Sequence, residues 1–123
     1  MTISSANPKR GEVWFVNLDP TIGAEIKKKR PAVVVSSDAI GILPIKLIAP
    51  VTDWKERYTN NIWHVKILQD NTNGLLRASA IDTLQIRGVD VQRFIRKLAK
   101  YVPILKFYHV LSFKQKFYLS KNA

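Results

Sequence analysis

Between Glu12 and Ile86 the chain is a succession of short runs rich in valine, isoleucine and aromatic residues, separated by turn residues, and no helical period persists beyond two turns. Such a chain folds as a small β-barrel or sandwich. Residues 12–18 alternate, with Val13 and Phe15 on one face and Trp14, Val16 and Leu18 on the other, until Asp19-Pro20 stops the run. Residues 32–36 are apolar without a break and too short for a helix, so they read as a central strand covered on both faces. Residues 47–51 read the same way, but Pro50 implies an edge position or a bulge. Residues 62–67 alternate again, and Asn73-Gly74 turns the chain into further strands near 78–81 and 83–86.

After Asp90 the period changes. Val91, Phe94, Ile95, Leu98 and Val102 fall at helical spacing, with Asp90 as N-cap and Arg93, Arg96, Lys97 and Lys100 on the opposite face. Pro103 interrupts this pattern, and a second helix is expected over residues 104–119, its apolar residues nearly encircling the axis. With 123 residues the chain holds one domain, taken as residues 10–123 with a helical region at about 90–120 and a flexible arm at residues 1–9.

Composition removes several kinds of chemistry. There is no cysteine, which excludes disulfides, thiol nucleophiles and Cys-ligated zinc, and His64 and His109 are the only histidines. Ser36, Ser37 and Ser79 lack a His/Asp arrangement for serine hydrolysis, and the carboxylate clusters of metal-dependent nucleases are missing. No metal and no cofactor is expected. No apolar run approaches the ~18 residues of a membrane span, and the N-terminus has no signal-peptide pattern, so the cytoplasm is the expected compartment.

Twenty basic residues stand against nine acidic ones, a formal net charge of +11. Every acid lies at or before Asp90, whereas eight basic residues follow it. The field suits a polyanion, most simply nucleic acid, though an acidic protein or anionic lipid also satisfies it. The basic, aromatic stretch from Lys100 onward is read as packing on one side with its lysines solvated. An added RNA surface or loose membrane association is the alternative; no stable membrane association is expected.

The densest local signal is Gly23-Ala24-Glu25-Ile26-Lys27-Lys28-Lys29-Arg30-Pro31, a cationic connection leading into the buried strand. Lys27, Lys28 and Lys29 taken singly read as a solvated loop. Arg30 differs, because Pro31 holds its backbone extended and a fixed guanidinium offers phosphate a planar fork of donors.

Arg10-Gly11-Glu12-Val13-Trp14, Gly23-x-Glu25, Arg30-Pro31 and the valine run ending in Ser36 together resemble the N-terminal signature of the PemK/MazF toxins. The resemblance continues through Ile48-Ala49-Pro50-Val51-Thr52, His64-Val65, Asn73-Gly74-Leu75 with Ser79, and Asp82-Thr83-Leu84-Gln85-Ile86-Arg87, and so covers about residues 9–100. It implies a mainly β chain, a small SH3-like barrel with a C-terminal helix, acting as a homodimeric mRNA interferase. The implied reaction is metal-independent, sequence-specific cleavage of single-stranded RNA. The 2′-hydroxyl attacks the adjacent phosphate and leaves 2′,3′-cyclic phosphate and 5′-hydroxyl ends. A cognate acidic antitoxin is the implied partner, with DNA contacted only through the antitoxin complex.

By the same resemblance Arg30, Thr52 and Glu25 are the catalytic candidates, and Gln85 lines the RNA. Lys27, Lys28, Lys29, Trp54 and His64 complete the RNA-binding candidates. Such a transfer requires charge stabilisation on the phosphoryl oxygens, a base for the 2′-hydroxyl and an acid for the leaving oxygen. Arg30 supplies the first, with the Thr52 hydroxyl as a second donor. The base stays open between Glu25, His64 and Arg30 itself, which is handicapped because arginine holds its proton to a pKa above ~12. Two other readings stay open: a non-catalytic toxin of this fold that blocks a protein such as a topoisomerase, and a plain nucleic-acid-binding module.

Overall fold

A computed structural model of the chain describes residues 7–40, 43–70 and 73–100. Seven antiparallel strands form one sheet: β1 (Val13–Asn17), β2 (Lys29–Val34), β3 (Ile45–Asp53), β4 (His64–Ile67), β5 (Ser79–Asp82), β6 (Arg87–Asp90) and β7 (Phe94–Ala99). The path runs β4-β5-β3-β2-β1-β7, with β6 joined to the first half of β3. Among the described residues β4 and β7 do not pair, so the path stays open and the barrel closure implied by the resemblance is not seen there.

Period-2 alternation in β1 and β2 places apolar residues on both faces, and both are buried. Val13, Val33, Ala49, Val51, Val65 and Ile81 form one core. Trp14, Val16, Ala32, Val34, Ile48 and Phe94 belong to the other. Each large side chain withdrawn from water in this way contributes about 1.5–3 kcal/mol. The expectation that residues 32–36 are covered on both faces is met.

Three expectations are corrected. Pro50 lies neither at an edge nor in a bulge, since β3 is the central strand. Ile48 pairs with Val34 on one side and Arg87 on the other, and Pro50 falls between the part of β3 paired with β6 and the part paired with β5. A residue without an N–H interrupts few ladder bonds at that junction.

Residues 83–85 are a 3-10 turn, Thr83–Gln85, rather than a strand. The Asp82 carboxylate accepts from the Leu84 N–H, and the Thr83 hydroxyl donates to the Trp63 carbonyl, which together curl the chain.

The helix expected after Asp90 is instead a 3-10 turn, Val91–Arg93, followed by β7. Asp90 does cap, accepting from the Gln92 N–H, but only that single turn. The β1–β7 ladder shifts register twice, between Val13 and Trp14 and between Phe15 and Val16. Each shift inserts an unpaired position, so apolar residues recur three and four apart and imitate a helix. The second expected helix, at residues 104–119, lies outside the described residues. Of the arm expected at residues 1–9, Pro8 is fully buried and the Lys9 N–H is bound by Glu12.

Candidate functional site

The β2–β3 ladder ends at Ala32 opposite Pro50. Beyond that end the strands part, and two clefts meet at Arg30, Thr52 and Asp53, which line both. The first cleft, about 390 Å³, adds Glu25, Ile26, Lys27, Lys55 and Tyr58. The second, about 430 Å³, adds Phe15, Lys29, Arg77 and Arg96, with Leu75 and Leu98 among its apolar lining. Catalytic candidates from distant parts of the sequence are therefore gathered at one junction.

Local bonding fixes the side chains. Arg30 is partly buried in β2, opposite Val16, and its Nε–H donates to the Lys27 carbonyl at 3.1 Å. The Thr52 hydroxyl donates to the Asp53 carbonyl at 3.3 Å. Glu25 closes a small ring across the β1–β2 loop: its Oε1 accepts from the Ile22 N–H at 2.5 Å and its own N–H donates to the Ile22 carbonyl at 3.2 Å. Gly23, with φ of +59°, allows the chain to make that reversal.

The RNA-binding candidates separate. Lys27 lines the first cleft and Lys29 the second, whereas Lys28 lines neither and its N–H is held by Asp19 at 3.0 Å. Gln85 sits behind the loop. Its Oε1 accepts from the Ile26 N–H at 2.5 Å, and its Nε2 donates to Asp82 Oδ2 at 3.4 Å. His64 and Trp54 line a separate recess of about 530 Å³. Lys66 Nζ lies 4.9 Å from the Trp54 ring centroid and Tyr58 packs edge-on against it, so two neighbours already occupy that indole.

The His64 ring stacks on Tyr58, with centroids 3.8 Å apart and an interplanar angle of 7°. Asn61 Nδ2 donates to its Nδ1 at 3.2 Å, which directs Nε2–H toward Asp82 Oδ2 at 3.6 Å. Burial pushes the imidazole pKa down, the Asp82 charge opposes this and Arg57 adds to it; the net direction is below the ordinary histidine value. His64 is thus neutral at pH 7. It stands one ring behind the first cleft, to which Tyr58 presents itself.

The basic residues after Ile86 divide by role. Arg87 donates to the Leu18 carbonyl at 3.3 Å, and Arg93 to the carbonyls of Asn17 and Asp19, bracing the base of the β1–β2 loop. Lys97 meets the buried Glu12 at 3.1 Å. Burial alone raises the Glu12 pKa, but the Lys9 N–H, the Trp14 indole and Lys97 outweigh it and hold the carboxyl below its ordinary range. Among the described basic residues after Ile86, Arg96 lines the second cleft. Asp53, Lys55, Tyr58, Phe15, Arg77 and Arg96 were not singled out from the sequence. Only the β1–β7 register identifies Phe15 and Arg96 as neighbours.

The fold described above has counterparts among known proteins. The family described as PemK-like, MazF-like toxin of type II toxin-antitoxin system matches residues 9–112. The chain belongs to this family. It is 33% identical over 102 residues to Endoribonuclease MazF9 of Mycobacterium tuberculosis, a match covering 75% of this chain and 80% of the relative. MazF (Form-I) from Deinococcus radiodurans shares the fold, with a TM-score of 0.69 at 24% identity over 87% of this chain and 92% of that one. MazE-MazF (Form-II) from the same organism matches with a TM-score of 0.60 at 25% identity over 85% of this chain and 89% of that one. The PemK/MazF match spans all the strands, so Arg30, Thr52, Glu25 and Gln85 all fall inside it.

Proposed function

We propose that this chain is a toxin endoribonuclease that cleaves single-stranded RNA without a metal ion, at the junction of the two clefts. The observation that carries the reading is the sharing of Arg30 and Thr52 by both clefts. A strand laid through them places one phosphate at a guanidinium and a hydroxyl, with room for nucleotides on either side. Arg30 and Thr52 stabilise the charge that grows on the phosphoryl oxygens. Glu25, in the first cleft, takes the proton from the 2′-hydroxyl as that oxygen bonds to phosphorus. The bond to the 5′-oxygen breaks as that oxygen receives a proton from Arg30, leaving a 2′,3′-cyclic phosphate and a 5′-hydroxyl.

Sequence specificity resides in the lining of the two clefts. The relative MazF9 is named an endoribonuclease, and the MazF of Deinococcus radiodurans is found with MazE. For this chain the corresponding partner is an acidic antitoxin, complementary to the net charge of +11 and competing for the same cationic junction. A homodimer, closure of the barrel and a cytoplasmic setting complete the family reading. Ile45 and Leu47 on β3 are large apolar side chains left 49% and 46% exposed, as a dimer surface requires.

The decisive test incubates a mixed RNA pool with the purified chain in excess EDTA and sequences the new ends. Cyclic-phosphate termini that vanish in Arg30→Ala support the reading, and undiminished cleavage by that variant rejects it.

A further inference from the structure

We propose that the second cleft is a nucleotide-binding subsite in which Arg96 and Arg77 hold a backbone phosphate of the RNA, next to the one cleaved. This deepens the endoribonuclease reading and rests on it.

The cleft is built by three parts of the chain. β1 contributes Phe15, and β7 contributes Arg96, its register partner, whose guanidinium lies 5.4 Å from the Phe15 ring centroid. That contact holds a long, exposed side chain over the cleft by a cation–π attraction. The loop before β5 contributes Arg77, which reaches Asp53 at 3.5 Å across the opening. This loop is fixed on β7. Gly74 has φ of +68°, and a Cβ there would lie 2.6 Å from the Leu98 carbonyl oxygen, so only glycine permits the approach. Buried Asn73 secures the same turn, donating to the Leu68 carbonyl and accepting from the Leu75 N–H.

The electrostatics of the two clefts differ. The first mixes Lys27, Arg30 and Lys55 with Glu25 and Asp53. The second sets Lys29, Arg30, Arg77 and Arg96 against Asp53 alone, over the apolar surface of Leu75 and Leu98. A cationic rim over an apolar floor fits a nucleotide, with phosphate at the rim and base on the floor. Because the clefts join at Arg30 and Thr52, a strand cut there enters both. Arg77 exchanges a solvent-exposed carboxylate for phosphate at little cost, since pairs this exposed are weak.

The test uses an oligoribonucleotide that the parent cleaves at one bond, and the same oligonucleotide 2′-O-methylated at the attacking nucleotide, so that binding is read by anisotropy without cleavage. Arg96→Gln weakens binding about tenfold and reduces the salt slope by about 0.7, one single-strand phosphate. Arg77→Gln acts in the same direction. Trimming the oligonucleotide from one end shrinks the Arg96→Gln defect, and trimming from the other does not. Binding by both variants equal to the parent overturns the proposal, as does a defect insensitive to trimming at either end. If Arg96→Gln spares RNA and weakens only capture of the antitoxin, the cleft binds peptide and the proposal falls. Cleavage by Arg30→Ala at the parental rate would reject the active-site reading instead, while the anisotropy series still decides the subsite.

Discussion

The two clefts that meet at Arg30 are held in place by different means. The first is a loop site: Glu25, Ile26 and Lys27 lie on a connection braced at its base by Arg87 and Arg93 and tied near Glu25 by the Gln85 amide, which reaches 59 residues along the chain to the Ile26 N–H. The second is a sheet site, with Phe15 and Arg96 on paired strands and Arg77 on a loop pinned to β7. Loops open at lower free energy than packed strands. The difference teaches that the cleft bearing the base candidate responds to hydrogen bonds behind it, whereas the other responds to whatever holds β7 on β1.

The junction itself belongs to both, so its loss has the largest effect. On the proposed mechanism Arg30→Ala removes the main donor to the phosphoryl oxygens and lowers kcat by about 10²–10³-fold, measured in single turnover with saturating enzyme. A much smaller loss would move the chemistry away from the junction.

Gln85→Leu tests the loop side. It leaves the Ile26 N–H without its acceptor and frees Asp82 from the amide, so the loop carrying Glu25 drifts. A displacement of about 1 Å costs up to about 10²-fold, and here it appears in kcat more than in KM. If Gln85 instead touched RNA, KM would carry the loss. Gln85→Glu keeps an acceptor for Ile26 but places a second carboxylate beside Asp82, so its activity should recover as pH falls and the pair takes up a proton.

How much of this was legible in the sequence follows the same division. Arg30, Thr52 and Glu25 were singled out because a long ordered motif carries them, alternation placed β1, and the unbroken apolar run at residues 32–36 marked the buried part of β2. Gln85 was read as lining RNA, and its hydrogen bonds to Ile26 and Asp82 were not foreseen. An amide has no intrinsic partner preference, and nothing in residues 83–86 announces that the chain curls there to aim the side chain at Ile26. Arg96 was lost for a sharper reason. Two register shifts in the β1–β7 ladder spread Val91, Phe94 and Leu98 at helical intervals, and a helix would have turned the basic residues to solvent. Charge counted by position therefore set Arg96 apart from Arg30, although pairing with β1 brings both to the second cleft.

The sheet side is tested through Glu12 and Lys97. The buried Glu12 carboxylate ties the Lys9 N–H, the Trp14 indole and Lys97, and so fastens β7 to β1. Glu12→Gln costs about 1–2 kcal/mol in urea unfolding, the lower range for charged hydrogen bonds because Lys97 is partly exposed. The Glu12 pKa is lowered on folding, so its stabilisation is complete above the ordinary carboxyl value and is lost as pH falls through the depressed one. The variant should flatten the acid limb of the stability curve. It should also reduce the RNA affinity that depends on Arg96, while leaving the ratio of Gln85→Leu to parental kcat unchanged.

The smallest effect comes from His64, which lies behind the loop side. Asp82 and Arg57 both face this imidazole, and the net outcome in the folded chain is a pKa below the ordinary value of 6.5. The unfolded chain therefore binds the proton more readily. Stability is complete above pH 6.5 and declines as pH falls toward the folded pKa. His64→Phe keeps an aromatic face for Tyr58 and removes the titration, so the parental decline between neutral pH and the carboxyl range should disappear. Asp82 then loses one neighbour but keeps the Leu84 N–H and the Gln85 amide, and the loop holds. A fall in kcat comparable to that of Gln85→Leu would show that the imidazole, rather than those two donors, sets the orientation of Asp82. The support of the first cleft would then extend one residue deeper than the hydrogen bonds to Gln85 indicate.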